Sequence, residues 1–297
     1  MALSAKSSAT SLSDGVSDRA AGSSLAQRRV VGTYREFENQ FSLRRRMRSS
    51  LRNVSIRGLS VFRSVSRSSG WIRFPYYHHV FEDERAGFER QIDFMKDYGS
   101  FISFDVATTL LKSGGNFAER YFCLSFDDGF RNCITNALPI LASKQVPCMF
   151  FIATEYIGTC LGNLPNPFGY SVPIEFLTWD DCRKMASAGM QIGSHTCSHR
   201  SLKGLRTVDA RQELQWSKHR IESELRRSCN HFSAPRGIPD IDFIEKRDPS
   251  IAKDLGYHSF STARRGAMRQ GASPYLLLRD HMLARWGNYQ LRYFFSS

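Results

Sequence analysis

Short apolar runs separated by helical stretches constrain this chain more than any other feature. Tyr121–Phe126 and Cys148–Ala153 are nearly continuous in apolar residues, the texture of strands buried on both faces of a parallel sheet, and Met190–Ser194 reads as a further strand. Between and around them lie segments with helical spacing. Glu84 to Tyr98 carries Phe88, Ile92 and Met95 and stops at Gly99; Ser103 opens a second helix that ends at Gly114. Asn132–Lys144 is helical with a break at Pro139. Thr178, with Asp181 three residues on, caps a helix that ends at Gly189, and a long amphipathic helix runs from about Val208 to Arg227. Phe74–Val80, Phe232–Pro235 and Tyr257–Thr262 complete the strands. Alternation of this kind predicts an α/β fold with a parallel sheet and right-handed crossovers.

The polar residues able to do chemistry gather where these strands end. Asp127 and Asp128 follow the run Tyr121–Phe126, His195 and His199 follow Met190–Ser194, and Ser233–Gly237 follows Phe232. In barrels and open α/β sheets alike, the C-terminal ends of the strands carry the active site. Two histidines four apart, read as projecting from one helical turn, combine with a carboxylate into a His₂-carboxylate metal site with open positions. A second carboxylate beside the metal is placed to take a proton from attacking water. The inferred chemistry is hydrolysis of an amide or ester. No glycine-rich phosphate loop follows any strand, so nucleotide binding has no support.

Charge divides the chain. Residues 1–70 hold 13 Lys and Arg against 4 Asp and Glu, whereas 71–297 hold 28 against 24. The boundary predicted from this is a low-complexity basic arm over 1–70 and a globular domain over 71–297. Residues 1–30 are expected to be disordered. Leu43, Met47, Leu51, Val54, Phe62 and Val65 recur near helical spacing among arginines, which fits either a basic linker or an amphipathic helix making peripheral contact with anionic membrane over 43–65. No basic-aromatic recognition motif accompanies the arm, so nucleic acid is not an expected partner. The seven cysteines are scattered, without a C-x-x-C pair, and no apolar leader is visible near Met1. A cytoplasmic setting is expected.

Two motifs resemble a known family. Ser125-Phe-Asp-Asp-Gly129 is similar to the T-F-D-D-G motif, and His195-Thr-Cys-Ser-His199 to the H-[ST]-x-x-H motif, of polysaccharide deacetylases, the NodB-homology domain or carbohydrate esterase family 4, which includes the chitooligosaccharide deacetylases of nodulation. The resemblance implies a distorted (β/α)₇ barrel and hydrolysis of N-acetyl groups on an acetylated oligo- or polysaccharide, with release of acetate. It makes Asp127 the base, and Asp128, His195 and His199 the ligands of a divalent metal, Zn²⁺ foremost. The third motif, R-x-P-Y-G, here reads Ser233-Ala-Pro-Arg-Gly237: the Arg that would orient the base is Ser233, and the Tyr is Arg236, whose main-chain N–H is the expected oxyanion donor. Pro235 and Trp179 are the expected substrate contacts, and His281 the nearest counterpart of the family's acid. An O-acetyl esterase or other amide hydrolase on the same scaffold, and a weakened glycan-binding module, stand as alternatives.

Overall fold

The computed structural model describes residues 29–65, 70–113, 118–162 and 166–296, so the disorder expected for 1–30 lies almost wholly outside the described residues. Two helices come first, α1 (Tyr34–Glu38) and α2 (Leu43–Ser60). The body begins with β1 (Trp71–Arg73) and β2 (Pro75–Tyr77), then α3 (Arg85–Lys96), β3 (Ser100–Phe101) and α4 (Phe104–Lys112). Next are β4 (Arg120–Phe122), β5 (Leu124–Phe126), α5 (Leu138–Ser143), β6 (Cys148–Ile152), and the short antiparallel pair β7 (Cys160–Leu161) and β8 (Ile174–Glu175). The chain continues through α6 (Trp179–Ser187), β9 (Gln191–Ser194), α7 (Thr207–Leu225), β10 (His231–Ser233), α8 (Asp248–Asp254), β11 (Ser259–Ser261), β12 (Asp280–His281) and α9 (Asn288–Phe294).

Seven strands form one all-parallel sheet in the order β11-β10-β9-β6-β5-β2-β12. Its two edges approach each other, because Ser261 at the end of β11 bridges Leu277 just before β12. The strands therefore follow one another around a curled sheet in chain order, the sequential (β/α) barrel-like arrangement expected. One detail departs from the sequence reading. Tyr121–Phe126 is not one strand: β4 pairs with β1 and β3 in a small separate sheet, and β5 enters the large one. The break falls at Cys123, whose N–H is donated to the Arg73 carbonyl at 2.9 Å. The break at Pro139 is present as a π-helical turn, Cys133–Ala137, ahead of α5, which carries the proline in its first turn. There its missing N–H costs no helical hydrogen bond.

From Arg29 to Val65 the basic segment is seated on the body rather than extended away from it. Phe37 of α1 is buried against Phe81 and Tyr170, and the Val31 N–H is donated to the Pro173 carbonyl at 3.0 Å. Helix α2 packs on α9 through Ile56 and Ser60, both buried, with Asn53 accepting from Gln290 at 3.3 Å. Its apolar stripe points the other way: Leu43, Met47, Leu51 and Val54 are 57–72% exposed. Among the described residues no helix is long and apolar enough to cross a membrane.

One buried carboxyl makes the fold sensitive to pH. Glu84 ends a 3₁₀ turn, Glu82–Glu84, and accepts the Phe81 N–H at 3.2 Å. Burial pushes its pKa up from 4.5 to about 7, with the neighbouring Asp83 charge acting in the same direction. The folded state therefore keeps this proton where the unfolded chain releases it. Its contribution to stability is complete below about pH 4.5 and is lost as the pH rises through 7. Glu84→Gln, which keeps an acceptor for Phe81, is expected to be more stable than the wild type by about 2–3 kcal/mol at pH 8 and nearly equal to it near pH 4.5. Urea unfolding across that range checks the sign, and a gap that narrows with rising pH would refute it.

Candidate active site

At the C-terminal end of β5 the chain turns through Asp128 and Gly129, both with positive φ (75° and 87°). That turn separates the two carboxylates, which on a continuing strand would lie on opposite faces. Asp127 keeps the strand direction, and Asp128 is carried to the histidine loop after β9. His195-Thr-Cys-Ser-His199 is not a helical turn, contrary to the sequence reading: Thr196 and His199 have φ of 67° and 56°, and the His199 N–H is donated to Thr196 Oγ1 at 3.0 Å. This bent loop still converges the rings. Asp128 Oδ1 lies 3.2 Å from His195 Nε2 and 3.1 Å from His199 Nε2. Cys197, between them in sequence, turns away, its thiol directed at the Glu213 carbonyl at 3.6 Å.

The donor set fits a divalent metal. His195 Nδ1 lies 2.8 Å from the Ser233 carbonyl, so it carries the proton and leaves Nε2 a lone pair, the outer-sphere arrangement typical of metal-binding histidines. Among the described residues, buried Asp128 Oδ1 faces only the two ring nitrogens, and no hydrogen bond of good geometry satisfies it. A carboxylate oxygen left in that state is costly unless a cation satisfies it. A second cluster of Asp105, His231 and His258 stands at the opposite, N-terminal end of the strands. There both His231 ring nitrogens are already engaged, by Ser259 Oγ and Asp105.

Asp127 is held by a residue that sequence reasoning did not select. Arg279 places a two-pronged fork on it, Nη1 to Oδ1 at 2.8 Å and Nη2 to Oδ2 at 2.7 Å. The same guanidinium donates to Ser233 Oγ at 2.8 Å and, through Nε, to the Thr262 carbonyl at 2.8 Å. Ser233, standing where the family motif has Arg, thus buttresses an arginine from another segment. Burial alone would raise the Asp127 pKa; the charge of Arg279, then that of His195, reverses this and holds it below the ordinary carboxylate range. Burial also opposes ionisation of Asp128, and the surrounding histidines hold it well below that range. In sequence, Arg279 was marked only by a charge directly after Leu276-Leu-Leu278, where an apolar strand would bury it.

These groups share one cavity of about 140 Å³, walled by Tyr76, His78, Pro167, Phe168, Tyr170 and Arg236. Phe168 stacks on the His199 ring at 4.2 Å. Arg236 adopts φ 60°, and its main-chain N–H has no partner among the described residues. Gly237 beside it is obligatory, since a Cβ there would sit 2.8 Å from the Ala263 nitrogen at φ 74°. Other expected residues lie elsewhere. Pro235 is buried under the loop and does not line the cavity. Trp179 begins α6, half-buried beneath Arg220, away from the cavity. His281 lines the adjoining groove, 5.2 Å from the His78 ring, with its pKa pushed down to about 3 by burial and then by the His78 and Arg265 charges. His78 borders both spaces.

A fork of this kind is expected to carry a large coupling energy. Arg279→Met leaves a buried, unpaired carboxylate and should cost about 3–5 kcal/mol. Asp127→Asn in the same chain should recover part of that loss, so a double-mutant cycle by denaturant unfolding reads a coupling of about 1–3 kcal/mol. Additive losses would mean that the pair does not act as a unit.

Residues 114–260 match the family model described as polysaccharide deacetylase. Over 193 residues, 65% of the chain, there is 24% identity to YxkH of Bacillus subtilis, provisionally assigned as a polysaccharide deacetylase, and the match covers 62% of that protein. The chitooligosaccharide deacetylase of a Bradyrhizobium strain is 27% identical over 127 residues, 42% of this chain and 50% of the relative. The chain therefore spans less than two thirds of the length of either relative. Among solved structures, IcaB from Ammonifex degensii aligns with TM-score 0.65 at 17% identity, covering 77% of this chain and 99% of that one. The Streptococcus pyogenes deacetylase PplD, solved with acetate, gives 0.61 at 20%, covering 76% and 99%. These two likenesses establish the fold. Over residues 114–260, about half of its length, the chain matches the polysaccharide deacetylase family, and its motifs resemble that family's.

Proposed function

We propose that the protein is a metal-dependent deacetylase that hydrolyses the N-acetyl group of a GlcNAc-type unit in an oligo- or polysaccharide. The observation that carries this reading is the ionised, fork-held Asp127 set beside the Asp128, His195 and His199 cluster in one small cavity. Those three residues would hold the metal, and Zn²⁺ suits their nitrogen and oxygen donors. When bound, it polarises the acetyl carbonyl and lowers the pKa of water beside it. Asp127 takes the proton from the attacking water, and Arg279 keeps that carboxylate charged and aimed. The free N–H of Arg236 donates to the oxygen on which negative charge develops. As the C–N bond breaks, the sugar nitrogen takes a proton and acetate leaves. We assign that delivery to His78, which lines the cavity, with His281 behind it; burial holds His281 neutral.

The same groups would also hydrolyse an O-acetyl ester, and no observation favours that over the amide. The weakened-module alternative rested on the missing motif arginine. Arg279 supplies a fork to the base from another segment, which supports turnover. The seven cysteines are all unpaired, in keeping with a cytoplasmic setting. The exposed stripe of Leu43, Met47, Leu51 and Val54, flanked by Arg44 and Arg57 on a helix without acidic residues, suits an anionic bilayer surface.

The full chain is expected to bind about one Zn²⁺ through this donor set and to release acetate from N-acetylchitooligosaccharides. Asp127→Asn should keep the metal and lose at least ~100-fold in kcat, whereas His199→Ala should lose metal as well. Stoichiometric metal with no acetate from any acetylated saccharide would sink the reading. Separately, the protein should float with vesicles containing phosphatidylglycerol, and a Met47→Ser/Leu51→Ser/Val54→Ser variant should remain behind; equal flotation would rule out the stripe as the contact.

A further inference from the structure

The mouth of the cavity opens into a much larger space whose chemistry the deacetylation reaction does not require. A groove of about 880 Å³ runs between α2 and the barrel, and it meets the metal cavity at His78 and Tyr170, which border both. From α2 it is lined by Arg45, Arg46, Arg48 and Arg52, and from the body by Arg265 and Arg285. Against these stand two acids of the lining, Glu38 and Glu84, and behind it the buried Asp280, 3.6 Å from Arg265. Glu38 lies 3.8 Å from Arg285, and Glu84 is buried, its pKa raised to about 7, so it is partly uncharged near neutrality.

The arginines of α2 are not neutralised from within. None of the four has a carboxylate partner among the described residues. Arg46 Nε and Arg285 Nε are buried without any hydrogen-bond partner. Arg52 and Arg265 are close enough that the charge of one disfavours the charge of the other. Like charges gathered around a partly enclosed space repel one another, and an entering anion relieves that repulsion. Guanidinium forks match carboxylate and phosphate oxygens in pairs. Much of the rest of the wall is aromatic, including Phe37, Phe81, Trp286 and Phe294, a surface on which the apolar faces of sugar rings pack.

We propose that this groove binds the acidic portion of the saccharide whose acetyl group enters the metal cavity, so that the substrate is an anionic acetylated glycan. The inference rests on the deacetylase reading above for the identity of the chain in the cavity. Continuity with that cavity argues for the glycan over a lipid headgroup, since the exposed stripe of Leu43, Met47, Leu51 and Val54 takes no part in the groove lining.

The test is calorimetric binding to the full-length Asp127→Asn protein loaded with Zn²⁺. A heparosan hexasaccharide, alternating glucuronate with N-acetylglucosamine, is compared with neutral N-acetylchitohexaose. The acidic ligand is expected to bind at least ~10-fold more tightly at low salt, with the advantage shrinking as ionic strength rises. Arg48→Gln/Arg52→Gln should bring the two dissociation constants within about twofold, and Arg48→Lys/Arg52→Lys, which preserves charge, should keep most of the preference. Both positions are exposed, and an unchanged thermal transition verifies folding. Equal affinity for the two ligands, or a preference untouched by the glutamines, overturns the proposal. So does Arg48/Arg52-dependent binding to phosphatidylglycerol vesicles but to neither oligosaccharide, which would make the groove a lipid site. If the wild type releases no acetate from either saccharide, the deacetylase reading fails, and the binding comparison still decides the groove.

Discussion

The buried pair of Arg279 and Asp127 is the interaction on which the mouth of the barrel depends. Both side chains are almost fully removed from water, at 1% and 3% exposure. Taking a carboxylate and a guanidinium out of water is offset only when the geometry is good and the remaining donors are used. Here they are: the two prongs go to the carboxylate, the second amino group also reaches Ser233, and Nε reaches the Thr262 carbonyl. Those contacts join the end of β5, the end of β10, the end of β11 and the segment entering β12. The curled sheet closes at the same place, where Ser261 bridges Leu277. One guanidinium therefore holds the base and ties together the two edges that a sheet with unequal strands would otherwise leave apart.

Around this anchor the loops adopt conformations that ordinary residues avoid. Asp128, Thr196, His199 and Arg236 all have positive φ and all lie at or beside the cavity. Each such conformation costs of order 1 kcal/mol or more for a residue with a Cβ. Concentrated at one end of the strands, that strain does three things: it turns Asp128 away from Asp127, swings His199 back toward His195, and leaves the Arg236 N–H without a partner among the described residues. The opposite end of the sheet has its own Asp and His residues, but there His231 is already engaged by Ser259 and Asp105.

What could be read from the sequence followed from local causes. The period of the helices, the capping box of Thr178 and Asp181, and the apolar runs all depend on neighbours a few residues away, and the structure bears out those elements. The Asp128, His195 and His199 cluster was legible because each residue directly follows a strand, so their meeting requires only that the strands be adjacent or nearly so. Long-range features were not legible. Arg279 is 152 residues from Asp127, and nothing in its own neighbourhood marks its partner. Trp179 invited selection by its type alone, yet its position at the start of α6 sends it to the outer wall. The break at Cys123 was hidden because a residue passing between two sheets and a residue within one are equally apolar.

A helix with its apolar stripe outward was one reading of residues 43–65, but the way α2 seats on the body was not legible, and the reason is physical. An amphipathic pattern is normally read as apolar-inside, which would have turned Leu43, Met47, Leu51 and Val54 toward the body. The helix instead sits on the body through Arg46, Ser49, Asn53, Ile56 and Ser60, a face spaced at three and four residues in which Ile56 is the lone hydrophobe. A helix seated by its apolar stripe would have closed onto the aromatic wall formed by Phe37, Phe81 and Trp286, expelling water and filling the groove. Seated by short polar residues, Ile56 and the half-buried Arg46, it stands off from that wall, and the space beneath it remains both open and cationic. Its position and its charge thus have one origin: the same arrangement that leaves hydrophobic side chains on the outer face keeps the route to the metal cavity from collapsing.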